Sequence, residues 1–297
     1  MVSPLLPFLS CLIYVLSVAH LAAGHGFVHS VVFGGQTYPG WNPFVDPYAT
    51  PPPARVIRKV LSDGYVSSSD PDLACHHGGN NGTPAIASAP SGSPVVFQWS
   101  YWPSDHQGPI STYMTSCNGD CTTFPANDAR WFKIDAVGYD SVNQQWAAAK
   151  LIANNASWTS IIPVGLAPGQ YLIRFEIIAL HSSTPQFYPS CSQVNVTGIG
   201  TGVPSASELT TMQALYQRVS FPNIYGASVS FTIPGPPPVS FDSNGGTSPP
   251  PSSFAAANPG TAAATPTSTS LPVATTASAN QPLKQCRLVS KKAVSKT

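Results

Sequence analysis

Beyond residue 24, no apolar segment of this 297-residue chain runs far before Gly, Pro or Asn interrupts it. That punctuation rules out long helices and favours short strands joined by turns. Pro94–Ser100, Ala129–Val137, Trp158–Pro163 and Tyr171–Leu180 are rich in β-branched and aromatic residues and read as strands. Ser192–Thr197 reads as a further strand, just after Cys191. In the long segment, Tyr171, Ile173, Phe175, Ile177 and Ala179 share one face. Arg174 and Glu176 fall on the other, positioned to pair as a structural ion pair. Glu208–Gln217 alone has a helical period. Charged residues make up only 8%, too few for extensive exposed helix faces. The pattern predicts an all-β fold: an antiparallel β-sandwich whose long loops carry the function.

The two ends read differently from the middle. Leu5–Leu16 is mostly apolar but far shorter than a membrane helix, and Ala22-Ala23-Gly24 supplies small residues for cleavage. Residues 1–24 are therefore expected to be a secretory signal peptide, although no Lys or Arg precedes the apolar run. From about Pro236 onward the chain is mostly Pro, Ser, Thr, Ala and Gly, a composition that cannot offset its own ordering entropy. Residues 25–236 are expected to form the folded domain, and 237–297 a disordered tail without a carbohydrate-binding module. The folded part carries 8 basic and 11 acidic residues, which gives no electrostatic reason to bind nucleic acid. In a secreted protein cysteines pair as disulfides. Cys117 and Cys121 are close enough to clip a local loop, a better reading than a zinc site, and Cys75 could then pair with Cys191. Cys286 is left alone in the tail. Asn81, Asn155 and Asn195 each head a glycosylation sequon.

Cleavage after Gly24 would make His25 the N-terminal residue. Its α-amine and Nδ1 could then chelate one metal ion in a ring. A third nitrogen from another histidine would complete a T-shaped N3 site suited to copper. His106 stands in a Pro/Gly-rich loop between Trp102 and Tyr113, and His181 ends the most strand-like segment. His76 and His77, in a Gly/Asn loop, are expected to be solvated, and His29 to be a packing or surface residue. Tyr113 reads as core packing.

Taken in order, the motifs are His25-Gly, Trp102-Pro with His106-x-Gly-Pro-x3-Tyr113, Trp131-Phe-Lys-Ile and Trp146-Ala. Ala167-Pro-Gly-x-Tyr-Leu-x-Arg174-x-Glu-Ile-Ile-Ala-Leu-His181 and Gln186-Phe-Tyr-Pro-x-Cys191 follow. The ordered set resembles the fungal lytic polysaccharide monooxygenases of auxiliary activity family 9. The resemblance spans nearly all of residues 25–200 and implies an immunoglobulin-like sandwich with a flat face around one copper ion. It implies that His25 and His106 form a copper-holding histidine brace with Tyr188 in an axial position. It also implies that His181 and Gln186 hydrogen-bond to bound oxygen species, and that Cys75–Cys191 and Cys117–Cys121 are the two disulfides. Two departures stand out. Phe175 lies where the family commonly has His, and Phe231 where many members have a tyrosine near the substrate face.

The activity implied is oxidative cleavage of β-1,4-glucan chains at C1 and/or C4, cellulose first and hemicelluloses such as xyloglucan next. It needs O2 or H2O2 and an external electron donor. The expected protein is a secreted, extracellular monomer with no membrane partner. A glycoside hydrolase would need two carboxylates flanking a cleft, and the acidic residues here are few and scattered. A non-catalytic copper-binding relative would carry Asp in place of Tyr188 and an apolar anchor signal at the C terminus, whereas Val289–Thr297 is polar. A polysaccharide-binding protein without catalysis would not hold copper tightly.

Overall fold

The computed structural model describes residues 25–226 and 229–241. Residues 1–24, expected to be a signal peptide, and residues 242–297, with Cys286 and most of the expected tail, lie outside the described residues. Eleven strands are present among those described. A four-stranded sheet has the order β2 (Gln36–Pro39), β1 (Val28–Phe33), β4 (Pro94–Trp99), β9 (Ser157–Ile161). A five-stranded sheet runs β3 (Ala87–Pro90), β11 (Gln186–Thr197), β10 (Gly169–Ala179), β5 (Ile110–Ser116), β6 (Phe132–Val137). β7 (Tyr139–Asp140) and β8 (Gln145–Trp146) form a small ribbon. The pairings are antiparallel except one: β3 lies parallel to β11.

The sheets meet through alternate residues, as a sandwich requires. Val31, Phe33, Val95 and Phe97 from one sheet share a core with Tyr171, Ile173, Phe175 and Ile177 from the other. Phe97 and Phe175 stand 4.7 Å apart, centroid to centroid. Phe175 is thus wholly buried between the sheets, where an apolar ring fits and a histidine would need a polar partner. The opposite face of β10 is also covered. Leu172 and Ile178 pack there with Trp131, Trp146, Phe187, Met212 and Tyr216 in a second core under loops and the short helix Met212–Tyr216. Arg174 and Glu176 pair as expected on this face, both fully buried. Arg174 also donates to the carbonyls of Leu73 and Ala74, and Glu176 accepts from the Tyr216 hydroxyl. Tyr113 is buried beside them.

Both disulfides are formed, Cys75–Cys191 and Cys117–Cys121. The helix expected over 208–217 is shorter, Met212–Tyr216, because Thr211 caps its first turn by accepting from the Ala214 amide at 3.2 Å. A second short helix, Ala147–Ala153, was not signalled by periodicity. The composition change at Pro236 does not end the packing, since Val239 and Phe241 are buried in the main core. Asn81 and Asn155 are exposed, whereas Asn195 is half-buried within β11, between β10 and β3.

Candidate metal centre

His25 enters the structure immediately before β1 and is pinned by its neighbours. The Phe27 amide donates to Ser100 Oγ at 3.2 Å, and the Ser100 amide donates to the Phe27 carbonyl at 2.9 Å. Gly26 is obligatory between them, because a Cβ there would lie 1.7 Å from the Tyr101 carbonyl oxygen. His106 is set by a tight turn closed through its own amide, which donates to the Pro103 carbonyl, while Trp102 Nε1 donates to the His106 carbonyl at 2.9 Å. Gly108 lets this loop press on β10: a Cβ there would lie 1.8 Å from the Ile178 carbonyl oxygen. Tyr188 faces Ile177 across the β10–β11 ladder, and His181 and Gln186 stand at the end of that hairpin.

These segments bring all five sequence-predicted residues together. The His25 ring lies 4.9 Å from that of His106 and 5.4 Å from that of Tyr188, centroid to centroid. His181 stacks on His106 at 3.7 Å, and the Tyr188 hydroxyl donates to Gln186 Oε1 at 2.7 Å. His106 Nδ1 meets Asp105 Oδ1 at 2.9 Å, while its Nε2 is buried and has no hydrogen-bond partner. An unpaired buried nitrogen is costly unless something else accepts its lone pair. His181 Nδ1 is in the same condition.

The electrostatics keep the imidazoles available as ligands. Burial lowers the His25 pKa below its usual value, with His106 adding to the shift and Asp63 and Asp105 opposing it. Burial, then His106, likewise lowers that of His181. Burial drives the Tyr188 phenol far up, reinforced by Tyr65 and the Asp63 carboxylate, so it stays protonated. Two neutral imidazoles and a neutral phenol converge here.

Tyr65 and Tyr101 carried no signal in the sequence, and Tyr225 lies in a stretch that resembles the family only weakly. Tyr65 lies 6.4 Å from the Tyr188 ring, and exposed Tyr225 donates its hydroxyl to the His181 carbonyl at 3.3 Å. Tyr101 is exposed beside Gly26. Phe231 is half-buried: it stacks on Phe221 at 5.5 Å and packs near Trp146 against the second core. His29 is exposed, as expected. His76 is not solvated but buried, with Nε2 against the Gly64 carbonyl at 2.9 Å, because the loop folds back under the site. The His77 side chain remains 40% exposed to solvent while it pairs with Asp70 at 2.8 Å.

Comparison with known proteins gives a family match over residues 25–231, to Auxiliary Activity family 9 (formerly GH61). The chain is 43% identical over 241 residues to an AA9 family lytic polysaccharide monooxygenase A of Gloeophyllum trabeum, covering 75% of this chain and 74% of that one. It is 41% identical to a namesake from Penicillium parvum, covering 75% and 94%. Among solved structures, the extended catalytic domain of H. jecorina LPMO9A superposes with a TM-score of 0.67 at 37% identity, covering 75% of this chain and 96% of that one.

Proposed function

The chain belongs to Auxiliary Activity family 9 and is a copper-dependent polysaccharide monooxygenase; we propose that it cleaves β-1,4-glucan chains, cellulose foremost, by oxidation at C1 and/or C4. O2 or H2O2 serves as co-substrate and an external donor supplies electrons. The observation that carries the assignment of the centre is the buried, unpartnered His106 Nε2 beside His25 and Tyr188. That donor set fits copper: imidazole nitrogens at its heart and a phenol at its edge. Secretion and removal of residues 1–24 would free the His25 α-amine as a further nitrogen donor. His25 and His106 would then hold one copper ion per chain, with the Tyr188 hydroxyl beside them.

Bound copper would supply the one-electron chemistry that activates the oxygen co-substrate. The protein's own residues do the rest. Asp105 fixes the His106 ring through Nδ1, which leaves the unpartnered Nε2 as the nitrogen that would bind the ion. Tyr188, held to Gln186 and kept protonated by burial, fills its position without offering a negative charge. His181 and Gln186 flank the site and offer hydrogen bonds to the co-substrate. The exposed rings of Tyr65, Tyr101 and Tyr225 provide faces on which pyranose rings stack. The catalytic domain in this reading starts at residue 25 and extends past the expected bound at 236 to take in Val239 and Phe241, and it acts as a secreted monomer. Asn81 and Asn155, both exposed, are the sequons best placed for glycans.

The test combines N-terminal sequencing of the secreted protein, copper titration, and product analysis on cellulose with a reductant. A chain starting at His25, one tightly bound copper, and oxidised cello-oligosaccharides are expected. A different N terminus or no tight copper would overturn the centre. Tight copper with no oxidised cellulose products would overturn the substrate.

A further inference from the structure

A groove of about 410 Å3 lies between β6 and the chain that crosses it after residue 230. Its walls are mostly apolar, from Tyr139, Phe231, Ile233, Pro237 and Pro238. Lys133 stands among them, a charged residue only 3% exposed. No residue that lines the groove belongs to the metal centre. Lys133 Nζ donates to the Pro234 carbonyl at 2.8 Å, next to the lining residue Ile233, and lies 5.9 Å from the centre of the Tyr113 ring. An ammonium has three N–H donors, and the Pro234 carbonyl is the one acceptor it meets among the described residues. No carboxylate among them forms an ion pair with it. Glu176 acts on it through space but is committed to Arg174 and the Tyr216 hydroxyl. Asp140, beside Tyr139, is paired with Lys150. Burial lowers the Lys133 pKa to about 8, with Glu176 opposing the shift. A buried ammonium without an anion is a desolvated charge that a ligand can neutralise.

We propose that this groove binds an aromatic monocarboxylate, its carboxylate on the Lys133 ammonium and its ring against Tyr139 and Phe231. One buried cation balances one negative charge, whereas a phosphate dianion would leave charge uncompensated. A neutral sugar would leave the ammonium unpaired. Tyr139 and Phe231 are half-buried, so each keeps ring surface for a planar apolar body to cover. The volume falls within the roughly 300–1,000 Å3 of small-molecule sites, which join apolar walls to a few placed polar groups. An occupant would tie β6, which carries Lys133, to the crossing segment, which carries the Pro234 carbonyl. The site goes beyond the copper chemistry and does not depend on which polysaccharide is cleaved.

The experiment titrates 3-phenylpropionate into the mature, copper-loaded protein. Calorimetry reports affinity, and the copper EPR spectrum reports whether the acid has gone to the metal instead. One site per chain is expected, with an unchanged copper spectrum. 3-Phenylpropanamide keeps the ring and loses the charge, and propionate keeps the charge and loses the ring. Each should bind at least about tenfold more weakly than the acid. Lys133→Met keeps an apolar stem and should weaken binding of the acid by a similar factor, while its weak binding of the amide stays as in the parent. Thermal unfolding checks that this variant is folded, and the two analogues decide the matter on the parent protein if it is not. Equal affinity for the acid and either analogue, a copper spectrum altered by the acid, or a folded Lys133→Met that binds the acid as the parent does would each overturn the proposal.

Discussion

Two buried polar regions of this molecule are built from opposite principles. Arg58 is 1% exposed, and its guanidinium meets five acceptors: Gln193 Oε1 and the carbonyls of Gly79, Asn80, Cys121 and Phe124. Those acceptors come from β11 and two loop regions, so one side chain staples the underside of the second core. At the metal centre, by contrast, His106 Nε2 and His181 Nδ1 are buried with nothing bonded to them. Both regions bear the cost of removing polar atoms from water. The Arg58 network offsets it within the protein, whereas the histidine cluster leaves it for a ligand to offset. Single unpartnered atoms also occur inside the core, at Trp131 Nε1 and Arg174 Nη1, so what marks a binding site is the convergence of several of them on one cluster of ligand side chains.

The sharpest way to break this contrast is to delete each centre and read stability and activity separately. Arg58→Ala would strand several buried carbonyls and should destabilise the copper-free protein by about 3–5 kcal/mol in urea unfolding. Any protein that remains folded should keep its copper spectrum. A cost near zero would mean that water satisfies those carbonyls and that the network is no staple. His106→Ala should do the reverse. Losing a direct ligand should reduce polysaccharide oxidation beyond the roughly 10–100-fold typical of outer partners, while stability falls by only about 1 kcal/mol. An active His106→Ala enzyme would remove the residue from the centre.

The same contrast explains what could be read from the sequence. Pro94–Ser100, Trp158–Pro163 and Tyr171–Leu180 were legible as strands because their apolar residues declare burial. β5 was not, because Ile110–Ser116 is half hydroxyl residues in the sequence. Its Thr112 and Thr115 are buried against Ser160 Oγ and the Arg130 carbonyl, partners that only the assembled sheets supply. Arg58 was invisible for a similar reason: four of its five acceptors are backbone carbonyls, which leave no residue signature. His25, His106 and Tyr188 were found through ordered motifs, not through any property of the residues alone. Asp63 and Tyr65 reach the site from a loop far in sequence from His106 and Tyr188, and nothing local announces it.

Tyr188 sharpens the contrast, since its ring belongs to the core and its hydroxyl to the centre. Tyr188→Phe keeps the packing and removes the bond to Gln186. Stability should fall by about 1 kcal/mol, and activity by about tenfold if the hydroxyl supports the copper geometry. Equal activity in the two proteins would reduce Tyr188 to a packing residue, and the copper EPR spectrum would then be unchanged as well.

His76 has one ring nitrogen in each condition, which makes it the finest test. Its Nε2 is held by the Gly64 carbonyl, while its Nδ1 is buried without a partner. Burial lowers its pKa below the ordinary 6.5, so the unfolded chain takes up a proton that the folded one refuses. Stability attributable to this group is therefore intact above about pH 6.5 and declines as the pH falls toward the lowered folded value, by at most about 1.4 kcal/mol per pH unit. His76→Asn removes the titration, and Asn tolerates the left-handed backbone that His76 adopts (φ 68°). Urea unfolding of both copper-free proteins between pH 7 and 5 should show the parent losing stability more steeply than the variant. His25 and His181 titrate in both proteins, so their effect cancels in the difference. Parallel pH curves would show that the Nδ1 already has a partner, which would place His76 with Arg58 among the satisfied groups.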